Sequence, residues 1–143
     1  MTMKIIYMMI VALLAGPMLA RAVGPVTPQL AEEYSLDRAF YGKATLSEGI
    51  LIASSPEVSD FAHLETAYLF RHLMQALQPR IAQRIRGGKV LCILVGHDEL
   101  TSDVPQFESD KTGKELDFYN WRSRGFLTRI EGRPTVLFSE EDV

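Results

Sequence analysis

Two short, unbroken apolar runs with a long helical pattern between them constrain this chain more than any other feature. The first, "GILIAS" at residues 49–54, is bounded by a glycine and by Ser-Ser-Pro. The second, "KVLCILVG" at residues 89–96, is bounded by Gly-Gly and by a burst of charge. Both are too short for a buried helix and rich in branched and aliphatic side chains, so both read as buried strands. A strand, a long helix and a second strand form a βαβ unit. Strands apolar on both faces are what a parallel sheet requires.

The helix itself lies in "SPEVSDFAHLETAYLFRHLMQAL". Ser55 with Pro56 and Glu57 can start it, and Ser59 with Asp60 can start it equally well. Ala62, Leu69, Leu73, Ala76 and Leu77 form one apolar stripe at helical period, which Phe61, Leu64 and Tyr68 widen, so the helix is expected to be covered on more than one side. Pro79 ends it, and "RIAQRIR" forms a short amphipathic helix stopped by Gly87-Gly88. Residues 30–40 carry a loose helical spacing. Residues 97–120 read as a long polar loop, and residues 135–138 as a third strand. The expected fold class is α/β: a small, mainly parallel sheet of about three strands with a long βαβ crossover helix.

The first 22 residues, "MTMKIIYMMIVALLAGPMLARA", combine a lysine, an apolar stretch and Ala-Arg-Ala, the three parts of a secretory signal peptide. The expected organisation is a signal peptide at 1–22, a lead-in at 23–40 and one domain at 41–143, in a chain that is secreted or periplasmic. An uncleaved anchor is the rival reading, and only that would bring a membrane into play. Cleavage after Ala22 leaves 13 basic against 18 acidic residues, a formal charge of −5. Such a surface argues against nucleic acid as a partner. The one cysteine, Cys92, lies inside an apolar run, where a buried, inert thiol is expected.

Ligands of open α/β sheets gather at the carboxyl ends of parallel strands. Gly96-His97-Asp98-Glu99 stands at such an end, and Ser54-Ser55 at the equivalent place after the first strand. Glu99 or Asp98 could act as acid/base or oxygen ligand with His97 as partner, or the cluster could be a strand surfacing into water. His63 and His72 fall on different faces of the helix and read as surface or half-buried residues. Glu65 and His72 share a face about 10 Å apart, too far to hold one ion. There is no HExxH, GxSxG, P-loop or dinucleotide fingerprint. "DFYNWRSRGF" interleaves aromatics with Arg122 and Arg124, a pattern that can bind a carboxylate or planar ligand. Alternatively it forms a clamp, with Trp121 over the core edge and the arginines paired with the acids of "SEED".

Taken in order, "FYGKATLSEGILIASSPEVSDFAHLETA", "VGHDELTSDVPQF", "NWRSRGF" and "RPTVLFSEED" resemble the leading half of secreted proteins related to the anthrax lethal factor metallopeptidase domain. The matching positions are Tyr41, Ser54-Ser55, Val58-Ser59-Asp60, Glu99 with Pro105, Arg122-x-Arg124-Gly125 and Glu140-Glu141, across residues 40–143. Asn120 precedes Trp121, the reverse of the family order. The family's zinc-binding HExxH helix lies beyond the Glu-Glu segment and has no matching position here, so none of its ligands carries over. The resemblance implies a non-catalytic binding or interaction module for a protein or peptide, without metal or cofactor. Arg122, Arg124, Trp121 and Tyr41 are its ligand-binding candidates, and the last strand, if at an edge, could accept an extended peptide. The alternatives are a small secreted hydrolase using Glu99, Asp98 and His97, with Arg122 or Arg124 as an anion clamp, and an inactive relic.

Overall fold

The computed structural model describes residues 22–143, so the expected signal peptide falls, apart from Ala22, outside the described residues. Six strands, β1 (Gly24–Pro25), β2 (Lys43–Ser47), β3 (Ile50–Ser54), β4 (Leu91–Val95), β5 (Phe126–Ile130) and β6 (Arg133–Ser139), form one sheet in the order β1-β2-β3-β4-β6-β5. The two apolar runs are adjacent and parallel, with Leu51 opposite Leu91 and Ser54 opposite Leu94. β4 is also parallel to β6, from Leu91 opposite Thr135 to Val95 opposite Ser139.

The fold is therefore α/β, but the sheet is mixed and twice the expected size. Three of its five strand pairs are antiparallel. The extra strands belong to hairpins. β2 turns into β3 through Glu48-Gly49, and β5 into β6 through Glu131-Gly132. All four of these residues have positive φ, as the tight primed turn of a hairpin requires. Gly49 is fixed for a second reason: a Cβ there would lie 2.6 Å from the carbonyl oxygen of Arg86. The final strand is not at an edge. β6 lies between β4 and β5, and β5 is the outer strand. Pro134 is tolerated in this interior strand because pairing with β4 begins one residue later, at Thr135.

Among the described residues four helices accompany the sheet: α1 (Pro28–Tyr34), α2 (Asp60–Ala76), α3 (Pro79–Gly87) and α4 (Gly113–Arg122). Side chains along β3 and β4 alternate between two cores. Ile50, Ile52, Cys92 and Leu94 pack with Ala62, Ala67 and Phe70 of α2 on one face. Leu51, Ala53, Leu91, Ile93 and Val95 pack on the other with Tyr34, Tyr41, Val104 and Phe107. Val26 of the lead-in and Ala31 of α1 belong to this second core. Residues 97–120 are not a featureless loop: two 3-10 turns, Thr101–Asp103 and Pro105–Phe107, precede most of α4. Its start is masked in sequence by charge, since the large apolar or aromatic residues Leu116, Phe118, Tyr119 and Trp121 all lie in its second half or beyond its first turn.

α2 begins at Ser59, the second of the two expected starts, whose side chain accepts the amide N–H of Phe61. Its orientation reverses the expectation. Ala62, His63, Thr66, Ala67, Phe70 and Met74 face the sheet, while Leu69 and Leu73 of the expected core stripe are exposed. The buried residues near its start are small, which lets the helix lie close over β2. There Ser47 Oγ donates to the Ala67 carbonyl at 3.1 Å. His63 is likewise not a surface residue. It is fully buried, with Nδ1 3.1 Å from Thr45 Oγ1 and Nε2 2.7 Å from Ser54 Oγ.

Candidate functional site

The carboxyl ends of β3, β4 and β6 lie side by side, and the chain leaves each through polar residues that hold one another. β4 exits through Gly96, whose N–H donates to Glu99 Oε2 at 2.7 Å. The carboxylate lies so close that a Cβ at Gly96 would stand 2.9 Å from it. β6 exits into a 3-10 turn, Glu140–Asp142, and there Glu140 spans two elements. Its Oε1 accepts the backbone N–H of Ser59 at 2.8 Å, at the start of α2, and its Oε2 accepts that of His97 at 3.1 Å. Helix N-terminal amides carry partial positive charge, so a carboxylate is the natural acceptor.

Arg124 holds the other side. Nε and Nη2 bind Glu141 at 2.7 and 2.9 Å, while Nη1 and Nη2 donate to the carbonyls of Glu99 and Gly96 at 2.8 and 3.2 Å. This is the expected pairing of an arginine with the "SEED" acids. Thr101 Oγ1 donates to the Ser123 carbonyl and Asn120 Oδ1 accepts the Ser102 N–H, so α4 is fastened across the same opening.

These elements surround a cleft of about 440 Å³, lined by residues that include His97, Asp98, Glu99, Asp117, Trp121 and Arg124. The three acid/base candidates, Glu99, Asp98 and His97, thus share one cleft with two of the four ligand-binding candidates, Trp121 and Arg124. Arg122 is exposed and does not line it. Tyr41 is elsewhere: it is buried in the core, hydrogen-bonded to Gln106, with its phenol pushed well above the usual range by desolvation. It cannot meet a ligand without unfolding its surroundings. Trp121 does not cover the core edge as expected. It is 73% exposed, its ring 5.9 Å from that of Phe118 on the outer side of α4.

The chemistry open to the cleft is narrow. Glu99 Oε2 holds the Gly96 N–H, Glu141 holds Arg124, and four of the five N–H groups of that guanidinium are engaged, which leaves a single N–H for any other anion. Asp98 and Asp117 have no hydrogen-bond partner among the described residues, and with Trp121 they give the opening an acidic and aromatic rim. Among the described residues no three His, Cys, Asp or Glu side chains converge to hold an ion, and no helix is long and apolar enough to cross a membrane.

The sequence reading missed Glu140, Asp117 and Asn120 as parts of this region. Only Glu140 had a signal, its place in "SEED" directly after a strand. The chain matches no protein-family model, no curated protein and no solved structure.

Proposed function

We propose that this chain is a secreted or periplasmic, non-catalytic domain that works by binding another polypeptide, built like the leading half of a lethal-factor-like metallopeptidase. One observation carries the reading: the outward face of α2. Phe61, Leu64, Tyr68, Leu69 and Leu73 are 81, 46, 49, 46 and 50% exposed; Leu64 and Leu73 mark the two flanks of the arc left uncovered by the sheet, with Glu65 and His72 between them. Scattered apolar residues on a surface need no explanation, but five large ones gathered on one helix mark a contact surface. The strand-end cleft supports the same reading. There Glu99 accepts the Gly96 N–H and Arg124 is bound to Glu141 and two backbone carbonyls, so both side chains brace the strand ends.

Site-specific photocrosslinking in the exporting cell tests this. A photoreactive residue at position 68 should yield a covalent adduct with a polypeptide, whereas one at Leu127, exposed on β5, should not. Absence of any adduct at position 68 would overturn the binding role.

A second reading, a small secreted hydrolase, draws on the convergence of His97, Asp98 and Glu99 on one cleft. It predicts casein or peptide cleavage by the purified protein, lost in a folded Glu99→Gln variant. No cleavage by the wild-type chain removes it.

A further inference from the structure

We propose that a cavity at the end of the sheet opposite the strand-end cleft binds a small zwitterion, a free α-amino acid with an apolar side chain. The cavity holds about 310 Å³ and opens where β4 and β6 begin to pair, with Leu91 and Ile130 among its lining residues and α1 and the second 3-10 turn as walls. That size is at the small end of ligand pockets, which run from roughly 300 to 1,000 Å³. Its walls are tied to one another. Arg133 Nη2 of β6 donates to the Glu33 carbonyl of α1 at 2.7 Å, and Gln106 Nε2 of the 3-10 turn donates to the Ser35 carbonyl at 3.4 Å.

One polar group on this cavity lacks a partner. Tyr34 is 6% exposed, yet its hydroxyl makes no hydrogen bond among the described residues. No unpartnered side-chain oxygen is sealed off among them either, so this hydroxyl reaches open space, and the space Tyr34 lines is this cavity. Burial first and Glu33 second push the phenol up, against the pull of Arg133, so it stays a neutral hydroxyl able to donate. The Arg133 guanidinium carbon lies 4.8 Å from the Tyr34 ring centroid, and its bond to Glu33 uses one of five N–H groups. Guanidinium and hydroxyl together suit a carboxylate. Fastening α1 to β6 accounts for the guanidinium over the ring, but not for the hydroxyl. Opposite charge lines the same space. Asp37 Oδ1 accepts the Ala39 N–H at 2.8 Å, while its Oδ2 and the Glu131 carboxylate have no partner among the described residues. Neither acid is ion-paired with Arg133 there. Unpaired charges of both signs around one cavity can each take the opposite end of a zwitterion, and Leu91 and Ile130 suit an apolar side chain.

Isothermal titration calorimetry of the purified protein with L-leucine should show saturable binding, with a dissociation constant of about 1 mM or tighter. N-acetyl-L-leucine lacks the ammonium group and L-leucinamide lacks the carboxylate, and each should bind at least about tenfold more weakly. Tyr34→Phe keeps the ring under Arg133 and removes only the oxygen. Its urea unfolding should match wild type while leucine binding weakens at least about fivefold. Asp37→Asn keeps an oxygen for the Ala39 N–H and should weaken binding likewise. Asp117→Asn, in the strand-end cleft, should leave it unchanged. No saturable binding up to about 10 mM, or analogues that bind as well as L-leucine, would overturn the proposal. So would undiminished binding by Tyr34→Phe and Asp37→Asn, or a loss in Asp117→Asn as large as theirs. None of these readouts depends on the α2 face, so the polypeptide-binding role stands or falls separately.

Discussion

Protonating His63 should destabilise the fold, and replacing it should remove a defined part of the pH dependence of stability. The Ser54 hydroxyl donates to the Ser55 carbonyl at 2.9 Å, so its oxygen accepts from His63 Nε2–H. Thr45 Oγ1 then donates to Nδ1. A second proton on the ring turns Nδ1 into a donor and forces the Thr45 hydroxyl to give up its bond inside the core. Burial is the largest cause holding the imidazole down, and Lys43 adds to it; Asp60 and Glu140 oppose it only in part. The pKa falls from 6.5 to about 4. The sign follows from proton counting. Between the two values the unfolded chain binds a proton the folded one refuses, so the contribution is full above pH 6.5 and is lost as pH falls towards 4. Its ceiling is about 3 kcal/mol, with a local slope of about 1.4 kcal/mol per pH unit. Guanidinium unfolding of wild type and His63→Gln from pH 7.5 to 4.5 measures it. The variant should be less stable at pH 7.5, and its curve should be flatter by that slope. Carboxylates titrate in both proteins and cancel in the difference. Parallel curves would refute the assignment of a neutral, doubly bonded imidazole.

Three further outcomes follow from the geometry. Glu140→Ala removes the acceptor of two backbone amides at once, and urea unfolding should show a loss of about 1–3 kcal/mol. Gly49→Ala places a methyl against the Arg86 backbone at a positive φ, and its melting temperature should fall by a margin equivalent to at least about 1 kcal/mol. Cys92 is completely buried and its thiol is pushed up strongly by desolvation, so a disulfide-exchange reagent should leave it unmodified until denaturant opens the fold.

The central βαβ unit was legible because its signals are local. Two apolar runs and the Ser59 cap fixed β3, β4 and the start of α2 without any tertiary knowledge. β2 was not legible because "KATLS" buries Thr45 and Ser47, residues that look like surface until a helix supplies Ala67 O and His63 as their partners. β5 alternates half-buried and exposed side chains at an edge, a pattern too weak alone. The signal that could have found both hairpins was the pair of Glu-Gly dipeptides, each directly beside a residue run able to pair. The helix face was misjudged for a different reason. Hydrophobic periodicity reports where apolar residues lie, and α2 carries more of them outward than inward. What turned it was polar: both ring nitrogens of His63 find their partners, Thr45 and Ser54, only on the sheet side. At the strand ends, residue type alone located the cleft. It could not show that Arg124 was engaged with the backbone, because its contacts with the carbonyls of Gly96 and Glu99 join positions far apart in sequence.

The position of β6 bears on the order in which the molecule can be made. It follows the other five described strands in chain order, yet it is wedged between β4 and β5, and Glu140 just after it supplies the anchor for the first turn of α2. Until β6 is in place, β4 has one open flank and β5 has no neighbour. The sheet thus closes through a strand that joins halves made earlier, and an unfinished polypeptide is kept from locking prematurely.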